Sequence, residues 1–332
     1  MRIISIMNQK GGCGKTTTAI NLSAFLAEFG KKVLLIDLDP QGHSTAGFNI
    51  KEGMIEQGLF DVFTKQASLE DIIKLQVYKG LDVAPTTVRL SAVEQYLSGT
   101  FERERQLRYH IERLKSPFEY DFIIIDCPPH LGLLVFNALM ASSEVIVPIE
   151  PSSFSMQGID KLLETIDLLK ENAHHFLKVM ALPTVYNHHS HFSRDILKQI
   201  FDKFQDLALK TIIRQNVKLK EAAQKGWPIS VYDRNSFGAE DYRNLALEVI
   251  QQDEPAFTWS DKGSKEEMKE EINEPAFVET RAEERGQKRG DEARVENIMV
   301  VVQPSQGVNE TAGQTESLPE EKKFDSSAQE QS

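Results

Sequence analysis

Cysteine is almost missing from this chain: among 332 residues only Cys13 and Cys127 carry a thiol. Two such distant residues cannot build the disulfide framework of a small secreted protein, and neither has the paired spacing of a metal-binding cysteine motif. Long hydrophobic runs are missing too. No stretch approaches the ~20 apolar residues that span a bilayer, and the run at residues 3–7 is too short for a signal-peptide core. A reducing, cytoplasmic setting is therefore expected. A composition that is 40% hydrophobic and 27% charged also excludes a wholly disordered or collagen-like chain.

The formal net charge of −12 would argue against a nucleic-acid partner if it were evenly spread, but it is not. Residues 253–332 hold 20 acidic and 10 basic side chains, whereas residues 1–252 are nearly balanced at 30 and 28. The expected organisation is thus a folded domain over 1–252 and an acidic tail over 253–332. The tail is poor in large apolar residues and cannot bury enough surface to offset chain entropy, so it is expected to be largely disordered. Two features stand out in it. Glu-Pro-Ala-Phe occurs at 254–257 and again at 274–277, and an apolar patch covers 298–302. They are read either as docking motifs or as chance recurrence in a biased sequence or loose packing against the folded body.

Within the first 252 residues, short aliphatic runs at 3–7, 33–37, 81–84, 122–126, 145–149 and 179–183 alternate with longer stretches of helical period. This pattern predicts an α/β fold with a doubly wound, mostly parallel sheet flanked by helices. Directly after the first run stand Asn8-Gln9-Lys10-Gly11-Gly12-Cys13-Gly14-Lys15-Thr16-Thr17-Thr18, then a helix-compatible run. Glycines let successive backbone N–H groups converge on an anion, the helix N-terminus adds a favourable dipole, and Lys15 can reach terminal phosphates. Thr16 is positioned to ligate Mg²⁺. Two further strands end in acids. One gives Asp37-Leu38-Asp39-Pro40-Gln41-Gly42; the other, at 122–126, delivers Asp126 to its carboxyl end in Walker B form, suited to holding Mg²⁺ against the β- and γ-phosphates.

The usual phosphate-loop pattern would have glycine where Gln9 stands. Instead Lys10-Gly11-Gly12-Cys13-Gly14-Lys15-Thr16 matches the deviant Walker A motif, and with Asp39-Pro40-Gln41-Gly42 and Asp126-Cys127-Pro128-Pro129 the sequence resembles the ParA/MinD family of P-loop ATPases. The resemblance spans about residues 2–252. It implies ATP and Mg²⁺ as cofactors, with Lys10, Gly11, Gly12, Cys13, Gly14, Lys15, Thr16, Thr17, Asp37 and Asp126 around the nucleotide. It further implies an ATP-sandwiched homodimer in which Lys10 reaches the partner's nucleotide. In that scheme Asp39 orients the attacking water and Asp37 supports the Mg²⁺ shell or its loop, so Lys10, Lys15 and Asp39 are the catalytic candidates.

Residues 211–222 and 228–239 are similar to the carboxyl-terminal part of ParA-type partition ATPases. One departure is that the common Ile-Pro-Arg-Asn-Val-Arg becomes Ile213-Arg214-Gln215-Asn216-Val217-Lys218 here. The chain starts almost at its first strand, so neither the winged-helix extension of larger plasmid partition ATPases nor its autorepressor role is expected. Between residues 194 and 225 eight basic side chains face four acidic ones. Arg194, Lys198, Arg214, Lys218 and Lys220 are the candidates for sequence-independent contact with duplex DNA. The resulting expectation is a nucleoid-associated ATPase. Its hydrolysis would be stimulated by a ParB-like or other cargo adaptor, and it would position a chromosome, plasmid or protein complex without a membrane.

The first alternative is a MinD-like membrane-surface ATPase, which needs a basic amphipathic helix that the tail does not supply. A nucleotide-switched binding module acting through the acidic tail is the second, and a tail that mimics nucleic acid in cis is a variant of it. A bacterial tyrosine kinase of related fold would need tail tyrosines, but all seven tyrosines precede residue 253. An iron–sulfur reductase would need bridging cysteines in other loops. The loop histidines His188, His189 and His191 lack accompanying carboxylate or cysteine spacing and are assigned no metal.

Overall fold

The computed structural model describes residues 1–115, 119–152 and 155–252; the tail at 253–332, with its repeat and apolar patch, lies outside the described residues. Seven strands are formed among these: β1 (Arg2–Ile6), β2 (Val33–Asp37), β3 (Lys74–Tyr78), β4 (Leu81–Ala84), β5 (Phe122–Asp126), β6 (Glu144–Ile149) and β7 (Lys178–Pro183). They make one sheet in the order β3-β4-β2-β5-β1-β6-β7, parallel throughout except where β3 pairs antiparallel with β4. Six strands lie within one residue of the expected runs. The seventh, β3, was not expected. It is an edge strand whose Leu75 is 60% exposed, so it carries no burial signal. It is joined to β4 through Gly80, whose φ of +80° suits glycine.

Six helices of nine or more residues accompany the sheet: α1 (Lys15–Glu28), α2 (Leu133–Ala141), α3 (Ser155–Ala173), α4 (His191–Phe204), α5 (Val217–Lys225) and α6 (Phe237–Gln251). Alternation along each strand sends Ile3, Leu34, Ile36, Ile123 and Ile125 into one core, against residues of α2, α3 and α4. Ile4, Ile6, Val33, Leu35 and Ile124 enter the other, against α1, α5 and α6. Both faces are covered, which is why these strands read as nearly continuous apolar runs. Each fully buried aliphatic side chain contributes about 1.5–3 kcal/mol. Among the described residues no helix is long and apolar enough to cross a membrane.

The strand order places the site. β2, β5 and β1 are consecutive neighbours, and their register sets Asp37 beside Asp126 and Asp126 beside Ile6. The carboxyl ends of all three strands therefore meet at the amino terminus of α1, where open α/β sheets bind ligands. At the opposite end of β1, Arg2 is clamped bidentately by Glu144 of β6 at 2.7 Å and donates to the Val249 carbonyl, tying the sheet to α6.

Candidate functional site

The loop from β1 to α1 is anchored before it is open. Asn8 donates from Nδ2 to the Pro148 carbonyl at 2.7 Å, and its Oδ1 accepts from the Lys10 amide at 3.0 Å. Thr184 holds the other limb, donating to the Cys13 carbonyl at 2.7 Å. Gly12 and Gly14 adopt φ of +77° and +92°, conformations that a side chain would strain. Gly14 precedes the first turn of α1, which has neither a side-chain cap nor an acidic residue, so its free N–H groups face the loop. Lys15 is buried and folds back to donate to the Lys10 carbonyl at 3.2 Å. This is an anion cradle with one cation inside it.

Beside the cradle stand three buried acids. Asp37 accepts from the Thr45 amide at 2.6 Å and the Thr45 hydroxyl at 2.7 Å through one oxygen, Oδ2. Asp126 accepts from the Ser44 hydroxyl at 2.6 Å, also through Oδ2. In both residues Oδ1 is buried and lacks a hydrogen-bond partner. Burial, and then repulsion by Asp126, raises the Asp37 pKa. Burial raises that of Asp126, against the Ser44 and Thr16 hydroxyls that favour its charge. Two free, buried carboxylate oxygens next to a phosphate cradle are a donor set that fits a hard divalent cation. Asp39 is 8% exposed, and its Oδ1 accepts from the Gln41 amide at 3.0 Å, which fixes the turn that follows β2.

Lys10 lies apart from this cluster. Its ammonium is bound by the Glu150 carboxylate and donates to Ser152 Oγ at 2.8 Å, both just beyond β6. Cys13 and Cys127 are buried, and burial pushes both thiols up, so they pack the site rather than react in it. A cavity of about 120 Å³ opens on the far side of the cradle. Gly12 and Gly14 line it from the loop, Thr17 from α1, Thr184 from just beyond β7, and Asn216 and Leu219 from the start of α5.

The structure gathers residues 11–17, Asp37, Asp39 and Asp126 in one place, with the Lys10 ammonium to one side on Glu150 and Ser152; of the basic candidates, Arg214 and Lys220 line the cavity beside the loop. Arg194 and Lys198 are on α4, Arg214 precedes α5, and Lys218 and Lys220 are on α5. Arg214 is held by Asp241, at 2.6 and 3.0 Å, and by Glu240; Lys218 pairs with Glu221, and Arg194 donates to His191. Lys198 and Lys220 form no ion pair among the described residues. Ser44, Thr45, Glu150, Ser152 and Thr184 escaped the sequence reading. Their only local signal is the His43-Ser44-Thr45 stretch closing the turn after Asp39.

Comparison with known proteins fits this geometry. The AAA domain family model matches residues 1–179. The sporulation initiation inhibitor protein Soj of Bacillus subtilis (strain 168) is 42% identical over 249 residues, covering 75% of this chain and 98% of that protein. The chain belongs to the ParA/Soj family of chromosome-partitioning ATPases. The chromosome partitioning protein ParA of Myxococcus xanthus (strain DK1622) is 37% identical over 255 residues, covering 76% of this chain and 89% of that one. Among solved structures, cobyrinic acid a,c-diamide synthase from Mycobacterium smegmatis with a bound ATP analogue and magnesium superposes with a TM-score of 0.65. It is 29% identical, with 75% of this chain and 94% of that one covered. Like its ParA/Soj relatives, the chain is an ATP-hydrolysing P-loop enzyme.

Proposed function

We propose that this ParA/Soj ATPase is an ATP-timed positioning switch that pairs with a second copy around ATP, holds duplex DNA without sequence preference, and lets go after adaptor-stimulated hydrolysis. Lys10 carries this reading. A lysine that served its own phosphate cradle would point inward as Lys15 does. The Lys10 ammonium instead sits outside the cradle on Glu150 and Ser152, with about one third of the side chain exposed, where a second subunit can meet it. The phosphates are assigned to the glycine turns and the start of α1, and adenine to the adjoining cavity beside Thr17 and α5.

The chemistry assigned is phosphoryl transfer to water. Magnesium, when bound, neutralises charge on the β- and γ-phosphates, with Asp126, Thr16 and Asp37 as the residues that hold or support it. Lys15 neutralises the transferring phosphoryl group, Asp39 orients the water, and Lys10 of the second copy adds charge from across the dimer. Lys198 and Lys220, together with Arg194, Lys218 and Arg214, supply a salt-sensitive DNA-facing surface. The enzyme is assigned to the cytoplasm on the nucleoid, with the tail from residue 253 as an accessory.

Retention on random duplex DNA at moderate salt, with ATP and with ADP, tests this. Asp39→Ala should hold the protein on DNA in ATP, and Lys10→Ala should release it in either nucleotide. Equal retention in ATP and ADP, or none in both, refutes the reading.

A further inference from the structure

The short helix His43–Ala46 follows the Asp39 turn and is caught between two parts of the molecule that the activity must connect. On one side its hydroxyls hold the metal-site acids: Ser44 on Asp126 and Thr45 on Asp37, both side chains fully buried. On the other it abuts α5. Gly226, the cap that ends α5 with φ +69°, approaches so closely that a Cβ there would stand 2.8 Å from the Ala46 carbonyl oxygen and 3.1 Å from the Asn49 amide nitrogen. Gly47 is likewise packed on Ile20 of α1. A segment wedged this tightly cannot shift without displacing what it touches. The residue after the cap is Trp227, 47% exposed, with its amide on the Ala222 carbonyl at 3.1 Å. The other end of α5 lines the cavity beside the phosphate loop, and its exposed face carries Lys220 and Lys225, which form no ion pair among the described residues.

We infer that Ser44 and Thr45 are positioning residues that transmit occupancy of the magnesium–nucleotide site through the 43–49 segment and Gly226 to the basic helix α5. Each acid has one oxygen committed to this segment and one free. A ligand that engages the free oxygens therefore reorients the carboxylates, pulling on the hydroxyls, and the segment passes the motion to the α5 cap by backbone contact. The inference deepens the proposed switch and rests on it for the meaning of α5, but not for the mechanical link.

Trp227 reports on that link directly. The chain has two tryptophans, so Trp259→Phe leaves Trp227 as the sole indole. In this background, magnesium with ATP should change Trp227 emission relative to ATP with EDTA. Ser44→Ala combined with Thr45→Val should shrink the change at least threefold at saturating magnesium and ATP. Thr45→Ser, which keeps the hydroxyl, should retain the response. A role limited to stability would lower the melting temperature of the double variant without removing the magnesium dependence of the signal. If the double variant does not fold, hydrogen–deuterium exchange on the unmodified chain decides: residues 43–49 and 217–227 should change protection together on adding magnesium and ATP. A full response in the double variant overturns the inference, as does a change at 43–49 with none at 217–227. ATP-dependent DNA retention that survives the double variant unchanged sinks the coupling and leaves the switch standing. A Trp227 response without DNA retention in any nucleotide state does the reverse.

Discussion

Replacing Asp126 with asparagine should stabilise the magnesium-free protein while abolishing its response to magnesium. Asp37 and Asp126 are in register on adjacent parallel strands, which lie about 4.8 Å apart. Two like charges about 5 Å apart repel by about 3 kcal/mol at an effective dielectric constant of about 20. Asparagine removes that repulsion and keeps an oxygen for the Ser44 hydroxyl. Its amide group, however, enters the buried position where Oδ1 now lacks a partner, at a cost of about 1–3 kcal/mol. The balance is a gain of about 1 kcal/mol, or roughly 2–4 °C in melting temperature for a domain of this size. The pH dependence has a definite sign. Both acids have folded pKa values raised above the unfolded ones, by burial first. The stability they contribute is complete below the ordinary carboxylate pKa of about 3.9 and is lost as pH rises through the raised folded values. The advantage of Asp126→Asn should therefore be present at pH 8 and vanish towards pH 5. Thermal melts across that range in EDTA, repeated with magnesium, measure both effects. A variant less stable than the wild type at pH 8, a pH-independent difference, or an equal gain from magnesium in both proteins would refute the reasoning.

Glu144→Gln should cost about 3–5 kcal/mol in urea unfolding, because it strands a buried Arg2 guanidinium; adding Arg2→Met should recover most of the loss. Neither thiol should react in the native protein: at pH 8 an aromatic disulfide reagent should label Cys13 and Cys127 at least about 100-fold more slowly than in urea, since burial raises both thiols, and prompt native labelling would show that the loop opens. Arg214→Ala and Lys220→Gln should differ in their effect on stability. The first takes the guanidinium from buried Asp241, leaving it only the backbone amide of residue 214, and should lower stability by about 1–3 kcal/mol. The second should leave the melting temperature nearly unchanged while reducing the salt slope of DNA binding by about 1.

What was legible in the sequence is what local chemistry writes into adjacent residues. An aliphatic run followed by Gly11, Gly12 and Gly14 and then Lys15 describes a strand, a phosphate turn and a helix start without further help. Apolar runs ending in Asp37 and Asp126 describe acids delivered to one end of a sheet. The edge strand β3 left no such trace, because Lys74 to Tyr78 are half-buried or exposed and pair with β4 alone in the sheet. Charge counting along the chain is blind in a different way. Arg214, Lys218 and Lys203 count towards a basic stretch, but each meets an acid in space: Asp241 and Glu240, Glu221, and Asp160. Pairing across 26 or more residues, as for Arg214 and Lys203, is invisible to a window on the sequence.

The groups that hold the site in place come from distant segments, and their roles depend on strand order rather than on any motif. Ser44 reaches Asp126 only because β5 inserts between β2 and β1. If β2 lay directly beside β1, Asp37 would lose its like-charged neighbour. The same insertion sets the two acids side by side, each with one oxygen free and the other tied to a segment wedged against α5. One topological choice therefore creates both the capacity to hold a cation and the mechanical route by which its arrival can be felt at a basic helix. This is why the stability of Asp126→Asn and the magnesium response of Trp227 should be linked: a variant that no longer gains stability from magnesium should also leave Trp227 silent to it.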